Sequence, residues 1–342
     1  MKKIKHMKHI SSKIIIFYNF LLKKKLYTFK ENMSFHLSNE YRIKYYTNSY
    51  VDTNMCFLKQ NLILPDFIKF NEIHGRNNYE KDILNLIKKN KIKINNVDIK
   101  YCPRDRVELF FDAPTLVKSR EVSDKSHFSI LMKLNINRHF NNINFVKKFD
   151  IPFSNKKNSL IWRGSTTGYG FGNLIPFRNV SRETLIKKFT NPEYMEKNID
   201  IGLSHLVQGA RNKKSIYSQY IRPKKTIEEL LQYKYLLSVE GNDVATNLKW
   251  ILFSNSVLFM PKPTIESWIM ETHLVPYSHY IPIKDDFSDL EEKIEWCNKN
   301  QNKCLKIIKN AKKYIKIFLN EKNENKIMKS IVEDYLRKVQ FI

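Results

Sequence analysis

Two breaks in the second half of the chain place polar and cationic side chains directly after apolar runs. At the first, Leu160, Ile161 and Trp162 give way to Arg163, Gly164, Ser165 and Thr166, with Gly168 just beyond. At the second, residues 233–239 (YKYLLSV) stop at Glu240, Gly241, Asn242 and Asp243, and Thr246, Asn247 and Lys249 follow. With only eight glycines in 342 residues, glycine at both breaks reads as a backbone requirement. These residue types suit the holding of a phosphate or diphosphate. Backbone N–H groups at a helix start and a cationic side chain stabilise the negative charge that gathers on a departing diphosphate. Gly241 allows close approach, Asn242, Asp243 and Thr246 offer polar contacts, and Asn247 can donate to phosphate or sugar. Arg163 is the expected cation at the first break. Lys249 would be a phosphate point charge in the helix after the second. Each has an ordinary competitor: Arg-Gly-Ser turns are common in surface loops, and Lys249 could be a solvated helix lysine.

The elements that must position these residues follow from apolar spacing. Residues 160–162, 233–239 and 256–260 read as short buried strands, and residues 245–253 resume at helical spacing. Strand, glycine turn, helix, strand is the rhythm of an α/β unit with a mostly parallel sheet. Ligands in such sheets sit beyond the C-terminal strand ends, where both glycine breaks fall. Ser181 caps a predicted helix to Phe189, and Thr226 caps another with Glu228 and Glu229 in its first turn. Further helices are expected over 80–89, 268–274, 289–298, 305–318 and 327–339. Strands are expected over 94–99, 108–111 and 280–283, a short buried element within 127–135, and a loop over 145–153.

Composition narrows the partners. Sixty Lys and Arg against 34 Asp and Glu give a formal charge of +26, which attracts nucleic acid, anionic membrane or phosphorylated substrates. Lys, Asn and Ile are abundant throughout, so part of the charge is compositional. No zinc-finger, RNA-recognition or helix-turn-helix signature accompanies it, and no nucleic-acid partner is expected. The four cysteines form no metal-ligand cluster, so neither a zinc site nor a disulfide framework is expected, and a reducing compartment fits. Residues 14–22 (IIIFYNFLL) lie between basic segments and are too short to span a bilayer. They read equally as a contact with an anionic membrane surface or as a first packed element.

Residues 162–167 (WRGSTT) and 233–260 (YKYLLSVEGNDVATNLKWILFSNSVLFM) together resemble glycosyltransferase family 90. Residues 274–282 (LVPYSHYIP) and 286–296 (DFSDLEEKIEW) extend the likeness in order, and 111–120 (FDAPTLVKSR) and 131–140 (LMKLNINRHF) resemble its bacterial branch. The resemblance covers roughly residues 100–315. It implies an α/β fold of the glycosyltransferase B type, two Rossmann-like domains facing a cleft. Residues 1–155 would form the acceptor side, 156–315 the nucleotide-sugar side, and 316–342 a C-terminal helix packing back on the first domain. It further implies an inverting transfer without an obligatory metal or other cofactor, which fits the lack of an Asp-x-Asp motif. The donor would be a UDP-sugar and the acceptor a lipopolysaccharide or other surface glycan. The enzyme would be cytoplasmic, at most peripheral on the inner face of the membrane. Protein O-glycosyl transfer is the alternative, and a basic nucleotide- or nucleic-acid-binding protein without transferase activity is the rival class.

The resemblance also assigns roles. Asp112 occupies the family's catalytic aspartate position and would take the acceptor hydroxyl proton, with a turn role before Ala113 and Pro114 as the competitor. Asp105, Glu108, His127 and His139 stay open for that role. Lys118 and Arg120 would suit phosphate or acidic acceptor groups, and Glu266 a ribose or sugar hydroxyl. Lys249 departs from the arginine common in eukaryotic relatives.

Overall fold

The computed structural model describes residues 37–47, 55–57, 67–68, 77–93, 98–102, 111–122, 128–171 and 179–341. Most of the expected 108–111 and 94–99 strands falls outside these residues, as do the 14–22 segment, Asp105, Glu108 and His127.

Before residue 140 the strands are short: β1 (Met55–Phe57), β2 (Phe67–Ile68), β3 (Ile99–Lys100), β4 (Thr115–Val117), β5 (Ser119–Glu121) and β6 (Ser129–Leu131). After it come the longer β7 (Lys157–Ser165), β8 (Ile199–His205), β9 (Tyr233–Leu237) and β10 (Val257–Met260), and the short β11 (Ile265–Ser267), β12 (Ile281–Pro282) and β13 (Val339–Phe341). Five of these form one parallel sheet in the order β12-β10-β9-β7-β8. Counted within the sheet that order is 5-4-3-1-2, a doubly wound arrangement that reverses direction at its first strand, β7.

Side chains alternate across the strands as the pleat requires. Leu160, Trp162, Tyr235, Leu237, Val257 and Phe259 point to one face, and Ile161, Leu236, Leu258 and Met260 to the other. Both sets are buried, which is why the strands read as continuous apolar runs. The first face packs α5 (Arg182–Phe189) and α10 (Leu290–Lys299). The second packs α9 (Leu248–Phe253) and part of α11 (Gln301–Ile317). That second core continues into the N-terminal helices α1 (Asn39–Tyr46) and α2 (Asn78–Asn90) and the last helix, α12 (Glu321–Lys338).

Caps fix the helix starts. The Ser181 hydroxyl accepts the Glu183 and Thr184 N–H groups, and Thr226 and Glu229 form a reciprocal capping box for α8 (Ile227–Leu230). Three expectations need correction. The first part of the loop expected over 145–153 is helical: α4 (Ile143–Phe149) makes about two turns and buries Ile143 and Val146 on one face. Residues 268–274 form no α-helix; β11 pairs antiparallel with β5 and is followed by a 3-10 turn at Glu271–His273. Helix α9 begins at Leu248 and not at Ala245, because Asn247 Nδ2 donates to Leu237 O and its Oδ1 accepts from Ser238 Oγ. Those bonds tie the preceding turn to the end of β9.

Among the described residues no helix is long and apolar enough to cross a membrane. Cys102, Cys297 and Cys304 are buried, and none of the three forms a disulfide.

Candidate functional site

A cavity of about 320 Å³ opens at the C-terminal ends of β7 and β9. In a sheet that reverses direction at β7, the loops leaving β7 and β9 run to opposite faces and leave a crevice between them. The topology therefore marks this as the candidate binding site.

The two glycine breaks meet at its rim. Gly168 adopts φ +96°, and a Cβ there would lie 2.9 Å from Gly241 O. A Cβ on Gly241 would lie 2.6 Å from Thr167 Oγ1 and 3.0 Å from Arg182 Nη2. Gly168 needs glycine because of its positive φ and the Gly241 backbone beside it, and Gly241 because a Cβ would press on the Thr167 and Arg182 side chains. Asn242 Oδ1 completes the contact by accepting the Gly168 N–H at 2.8 Å.

Arg182 clamps both loops. Its guanidinium donates to Ser165 O and Thr167 Oγ1 on the first loop and to Val239 O and Glu240 O on the second. Sequence reasoning missed this residue. The signal available was an arginine in the first turn of a capped helix, where the helix dipole disfavours a cation.

The expected site residues divide into two groups. Arg163, Gly164, Ser165, Gly241, Asn242, Asp243, Thr246, Asn247 and Lys118 line the cavity, while Thr166, Lys249, Glu266, Arg120 and Asp112 do not. Several are committed to the fold. Arg163 donates to Pro223 O, Trp162 O and Asp200 O and pairs with the Asp200 carboxylate at 2.7 Å. The guanidinium therefore staples β7 to β8. Thr166, fully buried, donates to Val207 O and accepts the Val207 N–H. Lys249 is 1% exposed, lies 3.5 Å from Glu271 Oε1, and is depressed in pKa by burial. Arg120 and Glu266 pair with each other at 2.7 Å; Arg120 also donates to Tyr45, Tyr46 and Ser129 carbonyls, and Glu266 accepts from the Tyr45 hydroxyl. Asp112 is partly exposed, ion-paired with Lys100, and precedes β4, whereas Lys118 follows β4 at the cavity.

Lys118 pairs with Asp243 at 2.6 Å, joining the N-terminal elements to the second glycine loop. Arg138 and His139, from α3 (Ile136–His139), also line the cavity, as do Arg182, Ser204 and His205. Four lysine or arginine side chains therefore stand on walls built from strand-end loops and backbone turns, an arrangement suited to a polyanionic small molecule.

The family model for glycosyl transferase family 90 matches residues 124–341. The chain belongs to glycosyl transferase family 90. Within the family it is similar to the O-glucosyltransferase LpsA of Dichelobacter nodosus, 34% identical over 62% of this chain and 59% of that protein. It is 27% identical to protein 179R of Invertebrate iridescent virus 6 over 51% of this chain and 16% of that protein. Human protein O-glucosyltransferase 3 is 35% identical over 24% of this chain and 16% of its own length. The match thus spans under two thirds of each of these relatives. Among solved structures, the wall teichoic acid polymerase TagF aligns with 65% of this chain and 59% of its own, at 12% identity and a TM-score of 0.28.

Proposed function

We propose that this family 90 chain is a glycosyltransferase that moves a sugar from a UDP donor held in the β7–β9 cavity to a lipopolysaccharide or other surface glycan. The observation that carries the reading is the cavity at the sheet's direction reversal, rimmed by two glycine loops clamped by Arg182. A diphosphate leaving group suits that rim, because preorganised N–H groups and nearby cations stabilise its developing charge. Membership of the family and the likeness to the O-glucosyltransferase LpsA favour glycosyl transfer over simple nucleotide binding.

The finer reading is an inverting transfer without an obligatory metal, on a glycosyltransferase B architecture of two Rossmann-like domains, with the enzyme at most peripheral on the membrane's inner face. Asp112 is the proposed proton acceptor, resting on the resemblance of residues 111–120. Asp112→Asn should keep donor binding and lose transfer by about 10²-fold or more. Turnover near the wild-type rate would move that role to another residue.

The test of the function is a panel of UDP-sugars incubated with the full chain and a glycan acceptor, read by mass spectrometry. Consumption of one donor with a matching mass gain on the acceptor is expected. Absence of both UDP binding and donor consumption across the panel would overturn the reading.

A further inference from the structure

His139 is 2% exposed and lines the cavity, and neither ring nitrogen has a hydrogen-bond partner among the described residues. Its placement is built in. Asn135 takes the left-handed conformation, φ 54°, to start α3, and Asp82 Oδ2 accepts the Ile136 N–H at 3.1 Å. The His139 backbone N–H then donates to Asn135 O, closing the turn that carries His139 and Arg138 to the cavity wall. His139 also borders a small internal space shared with Lys118, Lys249 and Trp268. Burial, with Lys249, Lys118 and Arg138 nearby, holds its pKa well below the ordinary histidine value, so the ring is neutral.

A neutral imidazole offers one donor and one acceptor. A phosphate oxygen can only accept, and Arg138 and Lys118 on the same wall are better donors to it. The complementary ligand group is a hydroxyl, which donates and accepts at once. Ser165 and the Gly241 loop mark the cavity's strand-end side. His139 comes instead from α3, N-terminal to the sheet, and on the reading of the cavity as a UDP-sugar site its hydroxyl partner belongs to the transferred sugar.

We propose that His139 is a donor-sugar recognition residue, hydrogen-bonding a hydroxyl of the transferred sugar. This rests on the reading of the cavity as a UDP-sugar site. A residue of this kind discriminates strongly, because the wrong sugar leaves a buried polar group unmatched.

The experiment is calorimetry on the full chain with UDP, UDP-glucose and UDP-galactose, comparing wild type with His139→Ala, His139→Phe and His139→Asn. Wild type should bind one UDP-sugar more tightly than UDP. His139→Ala and His139→Phe should lose that difference, about tenfold in Kd, while UDP affinity and Tm stay close to wild type. His139→Asn, which keeps a donor and an acceptor, should recover part of it. If the ratio of UDP-sugar to UDP affinity is unchanged in both the Ala and Phe variants, this inference is wrong and the donor site stands. Equal weakening of UDP and UDP-sugar also overturns it, since that marks a structural role. Failure of the wild type to bind any of the three overturns the donor-site reading and this inference with it.

Discussion

At the scale of single residues, the glycines carry more of the site than the charges do. Gly241→Ala would drive a Cβ into Thr167 Oγ1 and the Arg182 guanidinium, prising apart the loop contact that shapes the cavity rim. UDP affinity should fall by about tenfold or more, with Tm lowered by a few degrees; calorimetry and thermal melts read both. Unchanged affinity would mean that the rim does not hold the diphosphate. The glycines were legible in the sequence because a rare residue stood twice after an apolar run. The roles of Arg163 and Lys249 were not legible. Their partners, Asp200 and Glu271, lie 37 and 22 positions away, and no local pattern announces an ion pair that distant. Arg182 offered only its unusual place in a helix's first turn, its acceptors being three carbonyls and the Thr167 hydroxyl on two other loops. Unpartnered nitrogens, the property that singles out His139, cannot be seen in a sequence at all.

At the scale of elements, strands β7, β9 and β10 could be read from apolar runs, and α5 and α8 from their caps. Residues 268–274 misled, because Trp268 and its apolar neighbours are shaped by partners far along the chain. The Trp268 ring stacks on Tyr46 at 4.0 Å, and its indole N–H donates to Glu324. Glu324 in turn pairs with Arg42 at 2.6 Å, both side chains almost fully buried. This cluster fastens α1 and α12 to the segment after β11. Removing the charge from one buried partner leaves the other uncompensated, which costs about 3–5 kcal/mol. Glu324→Gln, which still offers Trp268 an acceptor, should therefore lower stability strongly. Arg42→Met combined with Glu324→Gln should lose less than Glu324→Gln alone, since no buried charge is then stranded. Urea unfolding of the three variants measures this. A double variant less stable than the single one would show that the cluster acts through packing and not through charge pairing.

For the molecule as a whole, the buried histidines set an acid limit on stability that the composition does not reveal. His279 is 1% exposed, accepts the Val275 N–H at Nδ1, and is pushed down to about 4 by burial. His139 is shifted in the same direction. A histidine in the unfolded chain titrates near its ordinary value, about 6.5. Between that value and about 4, the unfolded state binds a proton that the folded state refuses, so stability rises with pH across this window and is lost on acidification. The His279 shift corresponds to at most about 3 kcal/mol. Glu183 adds a loss at lower pH: burial raises its pKa, but Lys187, the Phe171 N–H and the Tyr217 hydroxyl outweigh that and lower it overall. Asp82 works in the opposite sense, its pKa raised by burial, so the total curve mixes several groups. Replacing the imidazole separates them. His279→Asn, which can still accept the Val275 N–H, should flatten the fall in stability between pH 6.5 and 4.5 seen in the wild type, as followed by urea midpoints at each pH. An identical slope in the two proteins would show that His279 is protonated in the folded state without penalty, and that the acid limit lies with His139 or the carboxylates.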